Sequence, residues 1–292
     1  MKRGKSRRLF KKKKSHSNQR LGCIIAIIVL IPICYGLYLY YQQYSVQHSS
    51  KPQIETSVSL PTPSGKDLEI PVSLIPRQEQ IIRHKGYTVS YNKDLKIPNW
   101  VSYELTRQET KGKEKRGNNF IADPLVKGAI ATNADYARSG YDKGHMAPAA
   151  DMKWSPDVMK ESFYFSNMCP QHPQLNRRGW KNLEEKIRDW AVADSAIIII
   201  CGPIIDKPSK TIGKNKVAVP ERFFKVILSP FVKPARGIGF LFNNRQAVEP
   251  LSTYAVSIDS IEQLTHMDFF SPLPDEIENA VEANADYYQW PR

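Results

Sequence analysis

A histidine set among small and polar residues is the first candidate for chemistry. His145 stands in the segment Tyr-Asp-Lys-Gly-His-Met-Ala-Pro-Ala-Ala-Asp, residues 141–151. The neighbouring glycine, proline and alanines favour a position that is accessible yet rigidly held. Imidazole has a free pKa of ~6.5 and is the usual general base near neutral pH. The segment therefore indicates a general base, while a single histidine with a purely structural role is the alternative.

A second segment, residues 166–188, combines an amide, a carboxylate and an arginine. Asn176 precedes a helical pattern, and Glu184 and Arg188 are i,i+4 neighbours on one face of that helix. The structural interpretation is an N-cap-like asparagine and a surface ion pair. The functional interpretation is a cation site, with the amide oxygen of Asn176 as a ligand and Glu184 bound to the water of the cation. Arg188 would then bind an anion.

The two segments together resemble the DNA/RNA non-specific endonuclease family, also called ββα-metal or His-Me finger nucleases. The family's D-R-G-H motif is present as Asp142-Lys143-Gly144-His145. Its S-N-x-x-P-Q-x-x-x-L-N motif matches residues 166–176, and its W-x-x-L-E motif matches residues 180–184. The resemblance extends from about residue 87 to residue 270. Because the motifs are ordered and specific, they predict the fold and the activity of this family.

The resemblance implies a metal-dependent mechanism. His145 would be the general base, and Asn176 would be the direct protein ligand of one magnesium ion (Mg²⁺), which Mn²⁺ would be able to replace. Glu184 would hold a water of that ion. The reaction implied is hydrolysis of phosphodiester bonds in DNA and RNA, with 5′-phosphate products. No signature of a recognition helix is present, so the contacts would be to phosphate and sugar.

The remaining matches concern the phosphate and the geometry of the site. Arg188 and Arg116 would contact the scissile phosphate, Asn167 would support the site, and Asp142 would fix its geometry. Two positions depart from the family pattern. Lys143 replaces the usual arginine, so that a point charge stands where the family has a planar fork. Arg178 replaces a small residue two places after Asn176, with Gly179 following, which predicts a difference in local loop geometry or in substrate contacts.

Two other functions compete with this hypothesis. A nucleic-acid-binding protein, for example an uptake receptor, could keep the same fold without catalysis. A zinc hydrolase could use His145, His172 and a cysteine such as Cys169, but zinc sites need three or four ligands and no tight second pair of ligands follows.

The sequence leaves open whether the two cysteines of the domain are paired. Cys169 and Cys201 could form a disulfide outside the cytoplasm, or Cys201 could be a buried free thiol at the end of a strand.

The elements that must position these residues alternate strands with only a few helices. Strands are predicted at 87–91, 100–106, 163–166, 196–201, 223–228 and 238–242, and helices at about 156–161, 178–193, 258–265 and 275–284. Four consecutive isoleucines, residues 197–200, are typical of a central strand that is buried on both faces. Helices do not separate the strands regularly. The pattern therefore predicts an α+β fold with a mainly antiparallel sheet.

Charge is concentrated before this domain. The chain of 292 residues has a formal net charge of +13, but residues 1–20 contain ten Lys/Arg and no acid, and residues 51–292 have a net charge of only +3. Bulk charge therefore does not indicate nucleic-acid binding. The composition, with 41% hydrophobic and 24% charged residues, excludes a disordered or fibrous chain.

An apolar segment follows the basic tail. Residues 21–41 contain no charged side chain and are long enough for a transmembrane helix, with tyrosines at the far end. The positive-inside rule predicts a cytoplasmic N-terminus and an extracytoplasmic domain, periplasmic or extracellular. The predicted organisation is a basic tail (1–20), an uncleaved signal-anchor in the lipid bilayer (21–41), a Ser/Pro-rich tether (42–76) and a nuclease domain (77–292). A cleaved signal peptide is the alternative.

Overall fold

An antiparallel sheet forms the centre of the part of the chain that the structure describes. This computed structural model describes residues 68–205 and 210–291. Their strands are β1 (Val72–Ser73), β2 (Gln80–Arg83), β3 (Thr88–Asn92), β4 (Ile97–Thr106), β5 (Asp142–His145), β6 (Met168–Gln171), β7 (Ala196–Ile204), β8 (Thr211–Ile212), β9 (Val217–Ala218), β10 (Arg222–Ser229), β11 (Arg236–Asn243), β12 (Ala255–Val256) and β13 (Met267–Asp268). The main sheet has the order β12-β11-β10-β7-β4-β3-β2, with every neighbouring pair antiparallel. Strands β1 and β13, β5 and β6, and β8 and β9 form separate antiparallel pairs.

The helices in the same described residues are few and mostly short. They are α1 (Asn133–Tyr136), α2 (Pro156–Glu161), α3 (Trp180–Asp194), α4 (Ile258–Thr265) and α5 (Asp275–Glu282). A π-helical turn, Leu175–Gly179, leads directly into α3. The predicted α+β class with an antiparallel sheet is therefore confirmed, and the predicted helices are present within a few residues of their expected bounds.

Strand β7 is buried on both faces, as its four isoleucines predict. Ile197 and Ile199 face a core shared with the apolar stripe of α3, whose members are Trp180, Leu183, Ile187 and Trp190. Ile198 and Ile200 face a second core, to which α4 and α5 contribute Ile258, Ile261 and Val281. Side chains alternate between the faces of a strand, so one apolar run supplies both cores.

The prediction of a strand at residues 163–166 is wrong. Residues Phe165–Asn167 form a 3-10 helix, and the strand that follows, β6, begins only at Met168. The side chain of Asn167 bonds to the backbone groups of Ala147 and Ser162. Because these bonds are tertiary, the local preference of aromatic residues for strands does not decide the conformation.

The structure decides whether the two cysteines of the domain are paired. Cys169 and Cys201 are buried free thiols, which resolves the open alternative against a disulfide.

Among the described residues, no helix is both long and apolar enough to cross a membrane. The predicted basic tail and the anchor at 21–41 lie outside the described residues, as does most of the tether. The boundaries drawn for the tail, anchor, tether and domain stay predictions.

Candidate active site

The hairpin of β5 and β6, followed by the π-helical turn and α3, brings the two sequence segments together. In this hairpin Gly144 lies opposite Cys169, and His145 lies opposite Met168. A Cβ atom on Gly144 would lie only 2.6 Å from the Cβ atom of the fully buried Gln171, so glycine is required by this close approach. The polar, glycine-containing sequence of β5 is atypical of a strand, which explains why sequence analysis does not predict it.

His145 lies at the end of β5 in an aromatic pocket. Only 8% of the residue is exposed, and its ring lies 5.0 Å from the ring of Phe163 and 5.5 Å from that of Phe120. Its Nε2 atom is buried and has no hydrogen-bond partner among the described residues. Burial, together with the positive charges of Arg116 and Lys143, lowers the pKa of His145 to about 3. The imidazole is therefore neutral at physiological pH, with one nitrogen free to accept a proton.

Two side chains fix the backbone around His145. The indole Nε1 of Trp180 donates a hydrogen bond of 3.3 Å to the carbonyl oxygen of His145, which ties β5 to the start of α3. The Asn167 amide accepts from the Ala147 N–H at 2.8 Å and donates to the carbonyl oxygens of Ala147 and Ser162, both at 2.9 Å. Asn167 is fully buried. Asn167 therefore fixes the backbone that follows His145, and its role in the site stays a prediction.

Asn176 lies in the π-helical turn and is oriented by Asp142. Its Nδ2 donates to Asp142 Oδ2 at 2.9 Å, which leaves the amide oxygen available to a ligand. Arg177, a residue that sequence analysis did not select, donates to both carboxylate oxygens of Asp142, at 2.8 and 2.7 Å. Partial burial would raise the pKa of Asp142, but the hydrogen bonds from Arg177 and Asn176 outweigh it and lower this pKa.

Glu184 projects from the flank of α3 toward a group of charged side chains. Burial raises the pKa of its carboxyl from 4.5 to about 7, and Asp151 acts in the same direction. The positive charges of Lys225, Arg188 and Arg116 oppose this shift. No hydrogen bond to its carboxylate is present within the described part of the chain. Glu184 is thus a half-buried carboxylate whose ionised form is poorly stabilised by the protein alone.

The expected surface ion pair between Glu184 and Arg188 is replaced by a buried one. The Nη1 atom of Arg188 lies 2.7 Å from Oδ1 of Asp151, and the hydroxyl of Tyr103 donates to the other oxygen of this carboxylate at 2.9 Å. Asp151 is almost completely buried. Arg188 is only partly exposed, so Asp151 fixes the position of its guanidinium group at the site.

Lys225 is the main residue at the site that sequence analysis missed. It lies in the middle of β10, is completely buried, and has no hydrogen-bond partner for Nζ among the described residues. Its Nζ atom lies 4.5 Å from the centre of the Trp180 ring. Its charge lowers the pKa of Glu184, against the effect of burial. A lysine within the apolar run Phe-Phe-Lys-Val-Ile-Leu was the sequence signal, since lysine is almost never buried without a reason.

Comparison with known proteins places this chain in a family. The family model for DNA/RNA non-specific endonucleases matches residues 64–276, most of the chain. The chain belongs to the DNA/RNA non-specific endonuclease family. Similar proteins include a nuclease from Nostoc sp., 30% identical over 250 residues, which cover 80% of this chain and 88% of the Nostoc protein. Human mitochondrial endonuclease G is 33% identical over 213 residues, which cover 67% of this chain and 71% of the human protein.

A solved structure supports the same assignment. A chain in the crystal structure of the EndoG/EndoGI complex, which addresses the mechanism of EndoG inhibition, superposes with a TM-score of 0.63 at 29% sequence identity. The match covers 68% of this chain and 89% of that chain. The endonuclease family relationship supports a hydrolase that acts on nucleic acids, and it indicates a divalent metal as cofactor.

Lys143 and Arg178, the two residues that depart from the family motifs, lie in different places relative to the site. Lys143 lies beside the site, with Nζ 4.4 Å from the centre of the Phe120 ring and 3.1 Å from the amide oxygen of Asn133, and its charge acts on His145. Arg116, which is exposed above the ring of Phe163, also acts on His145. Arg178 is exposed in the π-helical turn and lies beside a cleft with Ala247. It follows Asn176 without displacing it from the bond to Asp142.

Proposed function

We propose that this protein is a magnesium-dependent, sequence-non-specific endonuclease that hydrolyses phosphodiester bonds in DNA and RNA. The observation that carries the proposal is the neutral imidazole of His145, whose Nε2 has no hydrogen-bond partner among the described residues. It lies at the end of β5, where the charges of Arg116 and Lys143 act on it, while Asp142 at the start of β5 orients Asn176. Hydrolysis of a phosphodiester needs a proton acceptor, positive charge near phosphorus and stabilisation of the leaving oxygen. The residues of this site supply the first two.

A divalent metal fits the residues present. Asn176 would hold the ion through its amide oxygen, because its amide nitrogen is bonded to Asp142. Glu184, whose pKa is raised to about 7 by burial, is a carboxylate that a nearby cation would stabilise. Oxygen donors and few protein ligands suit Mg²⁺, which keeps several of its waters. When bound, the metal would supply Lewis-acid stabilisation of the phosphate and of the leaving oxygen.

The side chains of the protein account for the proton transfer and the binding of the phosphate. The neutral imidazole of His145 accepts a proton from the attacking water, while Trp180 and Asn167 hold the backbone around it in place. Arg116 and Arg188 bind the phosphate. The bound phosphate brings negative charge close to Arg116 and Lys143, so it offsets the two charges that contribute to the low pKa of His145. Substrate binding therefore makes His145 a stronger base.

The zinc alternative gains no support from the described residues. The thiol of Cys169 is buried, and burial raises its pKa well above the ordinary value, so the thiolate needed for zinc is disfavoured. The Nδ1 atom of His172 accepts a hydrogen bond of 3.2 Å from the backbone of Gln174. A binding protein without catalysis is the outcome that the cleavage assay must exclude.

The proposal also includes the location of the enzyme. The ten basic residues before the uncharged segment 21–41 support a single-pass anchor with a cytoplasmic N-terminus. The nuclease domain would then act outside the cytoplasm. Protease added to intact cells, or to spheroplasts if there is an outer membrane, should digest the domain and leave a short membrane-bound stub. Protection of the domain in sealed cells would overturn this orientation.

The decisive assay is cleavage of plasmid DNA and RNA by the full-length protein in detergent. We expect cleavage of both substrates with Mg²⁺ or Mn²⁺ and none with EDTA. Asn176→Ala should reduce the rate by orders of magnitude and weaken the response to Mg²⁺, with little loss of stability, because its amide is at the surface of the π-helical turn. Asn182→Ala, an exposed asparagine of α3, is the matched control. Equal cleavage by Asn176→Ala and wild type would refute the metal site, and binding without cleavage by the wild type would favour the catalytically silent protein.

A further inference from the structure

A group of carboxylates lies on the face of the sheet opposite α3. Asp259 and Glu262 are i,i+3 neighbours on α4, and Glu282 lies at the end of α5. One carboxylate oxygen from each of these three residues lies within 4.8 Å of the others. The two helices pack on the second core, through Ile258 and Val281, and not on the core that supports the nuclease site. The group is therefore separate from the nuclease site.

Glu282 is the member that a purely structural role does not explain. Only 6% of the residue is exposed, and its Oε1 atom is buried with no hydrogen-bond partner among the described residues. A buried polar atom without a partner is uncommon in folded proteins and requires an explanation such as a missing ion or water. This atom is an independent sign of a ligand, because clustering of acids at a surface does not by itself leave a buried oxygen unsatisfied.

The charges around Glu282 have one sign. Burial and the carboxylates of Glu262, Glu278, Asp259 and Asp268 raise the pKa of Glu282 to about 9. Glu278 and Glu282 are i,i+4 neighbours on α5, and like charges at this spacing oppose helix formation. The chain thus brings several acids from α4, α5 and β13 to one place, where no base is among the groups that act most strongly on Glu282. Without an ion, the carboxyl of Glu282 is therefore protonated at neutral pH. A bound cation would favour its ionised form and release this proton.

We propose that Asp259, Glu262 and Glu282 bind a divalent cation of the calcium class. Calcium takes oxygen ligands at about 2.3–2.6 Å, so oxygens up to about 4.8 Å apart can contact one ion. A purely oxygen donor set favours a hard cation over zinc or copper. One oxygen of Glu262 accepts the backbone N–H of Phe269 at 2.8 Å, which orients this carboxylate. Calcium also tolerates the irregular geometry that three side chains from two helices provide, whereas Mg²⁺ demands a nearly ideal octahedron.

The consequence of binding would be a link between α4 and α5. Both helices lie on β11, which is near one edge of the main sheet, and they contact each other. An ion that binds only the folded state stabilises it in proportion to the logarithm of its concentration. The melting temperature of the full-length protein should therefore rise with calcium concentration.

The test is a titration of the full-length protein with CaCl₂ while MgCl₂ is held at saturation, followed by calorimetry and by thermal unfolding. Wild type should bind one additional ion and unfold at a higher temperature. Glu282→Gln should lower the calcium affinity at least ~10-fold, because affinity depends on the number of charged ligands. Glu276→Gln makes the same carboxyl-to-amide replacement at an exposed position on α5 and should keep the wild-type response.

Two further variants keep the result interpretable. Asp259→Asn changes a partly exposed ligand and should also lose the response, so that a folding defect of Glu282→Gln would not decide the question. Asn176→Ala removes the proposed nuclease metal ligand and should retain the calcium response. The proposal is wrong if wild type shows no calcium binding or shift, or if Glu282→Gln and Asp259→Asn respond as wild type does. It is equally wrong if Asn176→Ala abolishes the response, because the ion would then be at the nuclease site.

Discussion

Replacement of Glu184 by glutamine should stabilise the metal-free protein while it impairs cleavage. Burial raises the pKa of Glu184 to about 7, from 4.5, although Lys225 and Arg188 act against the shift. A carboxyl whose pKa is higher in the folded than in the unfolded state opposes folding once it is ionised. The interval between 4.5 and about 7 corresponds to ~3 kcal/mol at ~1.4 kcal/mol per pH unit. Because the side chain is partly accessible to water, we expect ~1–3 kcal/mol.

Because the pKa of Glu184 is raised in the folded state, the difference in stability between Glu184→Gln and wild type depends on pH. Below pH 4.5 the carboxyl is protonated in both states, so Glu184→Gln and wild type should have equal stability. Between pH 4.5 and about 7 the wild type loses stability relative to the variant, and above pH 7 the difference should be constant. For a domain of this size the plateau corresponds to an increase of the melting temperature by roughly 2–4 °C per kcal/mol.

The assay is urea unfolding in EDTA at several pH values from 4 to 8.5, with Glu185→Gln as the control. Glu185 is an exposed neighbour on α3 that pairs with Lys181 at 3.5 Å, and its replacement should change the stability by less than ~0.5 kcal/mol at every pH. If Glu184→Gln is less stable than wild type at pH 8, or if the difference does not vary with pH, burial does not destabilise the ionised carboxylate of Glu184. The same variant should cleave DNA more slowly, because its neutral amide no longer stabilises a cation.

Three other substitutions test the positions of single groups. His145→Ala should reduce cleavage at least ~10²–10⁴-fold with DNA binding and melting temperature retained. Because the pKa of His145 is about 3 in the free protein, the kcat/KM of the wild type should show no limb near pH 6.5 that belongs to this residue. Asn167→Ala removes three hydrogen bonds from a buried amide and should lower the free energy of unfolding by ~2–4 kcal/mol, measured in urea against Asn182→Ala. Lys225→Met keeps the packing on Trp180 but removes the charge that lowers the pKa of Glu184, so the Mg²⁺-dependent rate should shift to higher pH; an unchanged pH profile would contradict this role.

The local sequence pattern was sufficient to predict a strand or a helix where one type of residue dominates that element. The isoleucines of β7 predict a central strand, and the spacing of Trp180, Leu183 and Ile187 predicts the buried stripe of α3. Ordered motifs were sufficient to select His145 and Asn176. These features depend on neighbours in sequence or on short spacings, which a single chain reveals.

The missed features depend on residues that are distant in sequence. Asp151 becomes the partner of Arg188 only when β5, its following loop and α3 pack together. Lys225 reaches the site from β10, and Arg177 binds Asp142 across 35 residues. Strand β5 exists because it pairs with β6, since its own sequence has no strand preference. Tertiary contacts of this kind override local propensity, so the sequence of one chain does not display them.

The position of Lys225 within β10 also affects how the chain selects its fold. Phe223 and Ile227 share the face of Lys225, whereas Phe224 and Val226 lie in the opposite core. A slip of one residue in the pairing of β10 would exchange these two sets. It would force an ammonium group into the apolar layer beneath α4 and α5, far from the carboxylates near α3, while phenylalanine and valine would enter the charged cleft. The lysine therefore disfavours misaligned sheets during folding, and natural variation in chain length should be confined to the turn 230–235 and other loops, outside β10 itself.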